Sequence, residues 1–158
     1  LIRRTTYAKV FLGFDIQTSE AYPVKCMEMP GMDDILEWQR VLDLFTAEVG
    51  MLRQLEHPNI ISFLGDEESS ESPLIFMEHM PGGSIMDYFH NLGSGFEQNH
   101  ARKCTKQILD ALIYIHYRCI IHRGLTSDKI LVDQNGVCKI SDFETAIYAE
   151  GEALPELI

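Results

Sequence analysis

Pro81-Gly82-Gly83 is the sharpest break in this chain, and the residues before it are patterned differently from those after it. Proline fixes φ and lacks an amide proton, while two glycines restore backbone freedom, so neither a helix nor a central strand is expected to run through the triplet. Ahead of it, residues 7–13 and 22–29 alternate or run apolar and are expected as strands. Pro30 and Gly31 end that pattern. Trp38, Val41, Leu42, Phe45, Val49 and Leu52 then recur at helical intervals, with Asp34 and Glu37 spaced as an N-terminal cap and His57-Pro58 as the stop. A strand over 60–65, an acidic loop over 66–72 and a strand over 74–77 complete this half.

After the break the period changes. Ser84 and Asp87 are spaced as a cap for a short helix ending near Leu92, and 91–95 is expected as a loop. Residues 98–118 form a second long helical pattern with Cys104, Ile108, Ala111, Leu112 and Ile115 on one face. Residues 130–133 and 137–141 flank Gln134-Asn135-Gly136, a short-hairpin signal. This order gives an α+β fold rather than a doubly wound sheet. The break divides the chain into two expected lobes, 1–80 and 81–158.

With 158 residues, 46% of them hydrophobic, the chain can bury a core and is no disordered acidic tail. Its net charge of −11 repels phosphate backbones and anionic membranes, so neither nucleic acid nor a membrane is an expected partner. Cys26, Cys104, Cys119 and Cys138 have no C-x-x-C spacing and read as reduced thiols of a cytosolic or nuclear protein. No run of about 18 apolar residues suggests a membrane span. His57, His79, His90, His100 and His116 share no ligand spacing that would point to zinc.

Three stretches carry a family resemblance. The first is Tyr22-Pro23-Val24-Lys25, followed by Glu48 and then His57-Pro58-Asn59-Ile60-Ile61. The second is Phe76-Met77-Glu78-His79-Met80-Pro81-Gly82-Gly83-Ser84. The third is Ile121-His122-Arg123-Gly124-Leu125, running through Ile130-Leu131-Val132-Asp133 to Lys139-Ile140-Ser141-Asp142-Phe143-Glu144. In order and spacing these are similar to a protein kinase domain, and their wording resembles a mitogen-activated protein kinase kinase kinase of the Ser/Thr group. The resemblance implies a two-lobed α+β fold, with a small N-terminal antiparallel sheet plus helix and a partial, mainly helical C-terminal lobe. It implies ATP and Mg²⁺ as cofactors, and it places the chain in the cytoplasm among other signalling kinases or scaffold proteins.

Phosphoryl transfer rests on positioning and charge neutralisation, so each family motif carries a physical duty. By resemblance, Lys25 contacts the α- and β-phosphates, Glu48 pairs with Lys25, and Asp142 is the metal ligand. Backbone groups of Glu78 and Met80 meet the adenine edge, Val10 and Leu131 pack on its faces, and Met77 is the gatekeeper. Leu52, Phe63, His122 and Phe143 occupy the family's inner hydrophobic stack.

Several positions depart from the pattern. Gly124 stands where the family has its catalytic aspartate, Thr126 replaces a lysine, and Lys129 replaces the metal-binding asparagine. Arg3, Thr5 and Ala8 stand where three glycines let backbone amides approach phosphate. Glu144 replaces a glycine beside the metal position, and Pro23 replaces an alanine that touches adenine. Lys129 is expected to pair with Asp142 or with a bound phosphate. Three functions stand open: a pseudokinase acting as a binding or scaffold module, an atypical active ATP-dependent Ser/Thr kinase, and a truncated copy without function. Pro155-Glu156-Leu157-Ile158 resembles a worn A-P-E motif, and family helices missing after it imply an exposed apolar lower-lobe surface suited to self-association.

Overall fold

The computed structural model describes residues 1–31, 33–69, 71–92 and 98–149. The expected loop tip 93–95, Ser70 of the acidic loop, and Pro155-Glu156-Leu157-Ile158 lie outside the described residues. Two compact units form: Leu1–Gln54 with Ser62–His79, and Leu55–Ile61 with the chain from Met80 onward.

In the first unit, β1 (Arg3–Arg4), β2 (Ala8–Phe14), β3 (Ala21–Met27), β4 (Phe63–Glu67) and β5 (Leu74–Met77) make a five-stranded antiparallel sheet in the order β1-β2-β3-β5-β4. Helix α1 (Ile35–Leu52) starts where the Asp34 carboxylate accepts from the Glu37 amide at 3.1 Å, as the cap spacing predicts. Its buried residues are Val41, Phe45, Glu48, Val49, Met51 and Leu52. These residues recur at three and four, so one face is apolar except for a single carboxylate.

The structure corrects several boundaries. Helix α1 ends at Leu52, and the chain turns at Arg53 rather than running to His57-Pro58. The strand expected over 60–65 lies at Phe63–Glu67, so Asp66 and Glu67 pair with Ile75 and Leu74 instead of forming a loop. The reason is tertiary. Ile60 and Ile61 are drawn into the second unit, where the Ile61 amide donates to the Ile140 carbonyl at 2.9 Å and Ile60 bridges Ile140. Asn59, 7% exposed, completes the attachment. Its Nδ2 donates to Cys138 O at 2.9 Å and to Gln107 Oε1 at 3.1 Å, and Gln107 Oε1 also accepts the Cys138 amide at 2.6 Å.

The second unit carries α2 (Ile85–Leu92), α3 (Gln98–Tyr117), β6 (Ile120–Ile121), a 3₁₀ turn at Ser127–Lys129, β7 (Ile130–Val132), β8 (Cys138–Ile140) and β9 (Ile147–Tyr148). Ser84 and Asp87 cap α2 reciprocally: Ser84 Oγ accepts from the Asp87 amide at 3.1 Å, and its hydroxyl donates back to Asp87 Oδ2 at 2.6 Å. Helix α2 ends at Leu92, where the sequence places its end. The β7–β8 hairpin closes where Asp133 and Val137 pair and Gly136 takes φ +79, a left-handed position that glycine supplies without strain. Ile85, Cys104, Ile130, Val132 and Cys138 form its core, with Ile108 and Tyr88 against it, and the Cys138 thiol meets Cys104 Sγ at 2.9 Å. The opposite face of α3 exposes Leu109, Ile113 and Tyr117. Strand β1 and the small β6–β9 pair carry too few residues to be visible as periodicity.

Asn59→Ala removes the donor to the Cys138 carbonyl on buried β8 and one of the two donors to Gln107 Oε1 on α3. It is expected to cost about 1–3 kcal/mol in denaturant unfolding, whereas Glu67→Gln on the exposed edge strand should stay within about 0.5 kcal/mol.

Candidate functional site

The first unit holds a cation that its own fold makes costly to leave alone. Alternation along β3 turns Lys25 and Met27 inward, and the register sets Lys25 opposite Val10 on β2 and Ile75 on β5. Glu48 occupies the apolar stripe of α1, and its Oε2 lies 2.7 Å from Lys25 Nζ, with side-chain exposures of 3% and 1%. A buried charge needs a charged, hydrogen-bonded partner, so each residue fixes where the other can be. Met77 ends β5 and is buried, and the Glu78 amide is committed to the Ser62 carbonyl at 3.0 Å. Leu52 is buried on α1, and Phe63 opens β4 half-buried.

The turn between β1 and β2 closes on itself. The Thr5 amide donates to Ala8 O at 2.8 Å, and the Ala8 amide donates to Thr5 Oγ1 at 3.1 Å. Ala8 is fully buried. Phosphate-covering loops work by offering backbone N–H groups to the ligand; here the threonine hydroxyl takes one of them. At one of the replaced glycines, then, the Thr5 side chain occupies an amide of the turn. A family-trained reading notes the lost glycine there but not the bond the new side chain makes.

The second unit gathers the remaining expected residues around the loop 122–129 and the segment after β8. Met80 O accepts the Gly83 amide at 3.1 Å, and Gly82 approaches β7 so closely that a Cβ there would lie 2.6 Å from Val132 O. Leu131 sits half-buried in β7 and bridges Ser84. His122 is buried, with Nε2 at 3.1 Å from Ser141 O and the Gly124 amide directed at Nδ1 over 3.4 Å, an arrangement that suits a neutral ring protonated on Nε2. Its ring lies 4.9 Å from that of Phe143. Burial, above all, pushes the His122 imidazole below its ordinary value.

Arg123 and Asp142 both take left-handed backbone, with φ +59 and +63. Non-glycine residues there cost about 1–3 kcal/mol each and persist only where the surroundings fix them. Arg123 Nε donates to Thr145 O at 2.8 Å, and the Ser141 hydroxyl and amide both reach Lys129 O at 2.9 Å. These contacts tie the two loops into one rigid corner.

Within that corner a side chain at position 124 would require its neighbours' side chains to move. A Cβ on Gly124 would lie 2.6 Å from Thr145 Oγ1 and 3.0 Å from Lys129 Nζ. Thr145 is anchored there by donating to His122 O at 3.1 Å, and Lys129 Nζ lies 3.3 Å from Asp142 Oδ2. Thr126 is exposed. Thr145 had no sequence signal, because its part follows from the geometry of its neighbours rather than from any motif.

The fold and these two clusters define a protein kinase domain: a sheet-borne lysine held by a helix-borne glutamate, and a His-Arg loop clasped to the Asp-Phe segment. A profile of the protein kinase domain matches residues 3–156, and the chain belongs to that family. It is 42% identical over 95% of its length to the MAP kinase kinase kinase mkh1 of Schizosaccharomyces pombe. Identity is 34% over 90% of the chain to mitogen-activated protein kinase kinase kinase A of Dictyostelium discoideum, and 33% over 90% to the serine/threonine-protein kinase BCK1/SLK1/SSP31 of Saccharomyces cerevisiae. The chain spans only 14%, 15% and 10% of those proteins.

The family implies ATP and Mg²⁺. The Lys25–Glu48 pair fits ATP, since a carboxylate-held ammonium is a phosphate contact. Magnesium does not fit. The Lys129 ammonium already faces Asp142, the one carboxylate expected to ligate the metal, and Lys129 offers donors only where an amide oxygen would be needed.

Lys25→Met removes one partner of a buried pair and should destabilise the chain by about 3–5 kcal/mol in chemical denaturation, with Lys25→Met/Glu48→Leu recovering most of it. Because the folded His122 pKa is depressed, its contribution is complete above about pH 6.5 and is lost as pH falls through the folded value. Unfolding free energy followed from pH 7.5 to about 5 should therefore decline less in His122→Asn than in the parent chain.

Proposed function

We propose that this chain is a catalytically impaired member of its family, a binding or scaffold module in a mitogen-activated protein kinase cascade. One observation carries the reading: the space a catalytic side chain would need at Gly124 is taken by the Thr145 hydroxyl and the Lys129 ammonium. A general base must reach the hydroxyl proton it removes, and losing that group typically lowers rates by about 10²–10⁴. A cation in this position cannot accept a proton. The surviving Lys25–Glu48 pair supports a retained nucleotide site, with Lys25 as the residue that would hold the phosphates.

Two of the relatives named above are kinases of a mitogen-activated protein kinase cascade by their names, which supports other signalling kinases or scaffold proteins as partners. No helix among the described residues is long and apolar enough to cross a membrane. Transfer of radiolabelled γ-phosphate from ATP to itself and to a generic protein acceptor should not exceed the Lys25→Ala background. Gly124→Asp alone should remain inactive, because the new side chain meets Thr145 and Lys129. Transfer by the parent chain that disappears on Lys25→Ala would establish the alternative, an atypical active kinase.

A further inference from the structure

We infer that Cys104 and Cys138 join in a reversible disulfide when the chain meets a hydroperoxide, making the core of the second unit a redox-sensitive lock. Both are free thiols, and their sulfurs lie 2.9 Å apart. A disulfide bond is about 2.03–2.05 Å long, so the sulfurs have to close by roughly 0.9 Å. The elements that carry them are already pinned beside the pair. Gln107 stands one helical turn after Cys104 on α3, and its Oε1 accepts the Cys138 amide at 2.6 Å. The Cys138 carbonyl accepts from Asn59 Nδ2 at 2.9 Å. Ile85, Ile130 and Val132 complete the same buried cluster, whose packing keeps the two side chains where they are.

The chemistry balances with hydrogen peroxide as the oxidant. Cys104, 7% exposed against 0% for Cys138, is the more accessible of the two. Its thiolate sulfur attacks one peroxide oxygen and the O–O bond breaks. With the proton shed by that thiol, the products are a sulfenic acid and one water. The Cys138 sulfur then attacks the Cys104 sulfur, the S–O bond breaks, and the hydroxyl leaves with the Cys138 proton as a second water. Two thiols have lost two electrons and two protons, and peroxide has become two waters. Burial, above all, pushes the Cys138 thiol above its ordinary value. That suits it to the resolving step, where its proton departs with the hydroxyl, rather than to the first attack. The consequence reaches past the core. Strand β8 runs on into Ser141, whose hydroxyl and amide hold Lys129 O, so a bond at Cys138 fastens α3 to the strand that carries the loop corner.

Treatment of the folded whole chain with hydrogen peroxide, then alkylation in denaturant and mass spectrometry, tests this. The expected product takes up two alkyl groups where the four cysteines of the untreated chain take up four. It yields a linked Cys104–Cys138 peptide that dithiothreitol separates. The linkage should raise the melting midpoint by about 5–10 °C and slow hydrogen exchange at the β8 amides. Cys104→Ala and Cys138→Ala should each abolish the linkage and the rise. Cys26→Ser/Cys119→Ser should keep both, and because it leaves the core pair untouched it stays decisive if the core variants do not fold. Uptake of four alkyl groups after peroxide, a linkage through Cys26 or Cys119, or Cys104 sulfinic acid without a linkage overturns the inference. So does a bond that forms only in denaturant, which would leave the two thiols as packing alone.

Discussion

The buried Lys25–Glu48 pair sets the terms for the first unit. Removing two charges from water is unfavourable unless they meet at hydrogen-bond distance, and here they meet at 2.7 Å with almost no solvent access. That requirement fixes which face of β3 turns inward, which turn of α1 lies over it, and the register with β2 and β5. Apolar packing by Val41, Phe45 and Leu52 supplies stability but tolerates sliding by a turn. The ion pair does not. A slip of one residue in β3 would send Lys25 to the opposite face and leave Glu48 alone among hydrocarbons.

The second unit shows the same rule applied to a site that has changed chemistry. A lost side chain at position 124 has not left a void, since Thr145 and Lys129 fill the space and Lys129 balances Asp142. Two left-handed residues, Arg123 and Asp142, remain, and the contacts among His122, Ser141 and Thr145 hold them. Strain of this kind persists only in a well-determined backbone, so the architecture around the loop is kept with a glycine at position 124.

Elements with a strong local signal were legible in the chain: both long helices, the caps of α1 at Asp34 and of α2 at Ser84, the hairpin around Gly136, and the overall α+β class carried by the order of elements. Where the reading slipped, a distant partner decided. Ile60 and Ile61 read as a strand beginning because they are apolar and follow a stop signal, yet β8 claims them, with Asn59 beside them bonded to Cys138 O and Gln107. Thr5 and Thr145 gave no warning, because a hydroxyl's effect depends on which amide or cation it meets. At Lys129 the residue type alone suggested a pairing with Asp142, and the geometry brings the two to 3.3 Å.

The sequence by itself determined the order of elements, the family, and the list of departures at Gly124, Thr126 and Lys129, since periodicity, capping and motif wording are local properties of the chain. Only the tertiary structure decided how those departures meet: that Thr145 and Lys129 crowd the space beside Gly124 while Lys129 faces Asp142, and that Thr5 occupies an amide of its own turn. Residues 5 and 21 positions apart or merely three apart look equally independent in one dimension. Contact, exclusion and charge balance act through distances of a few ångström, which exist only after the chain has folded.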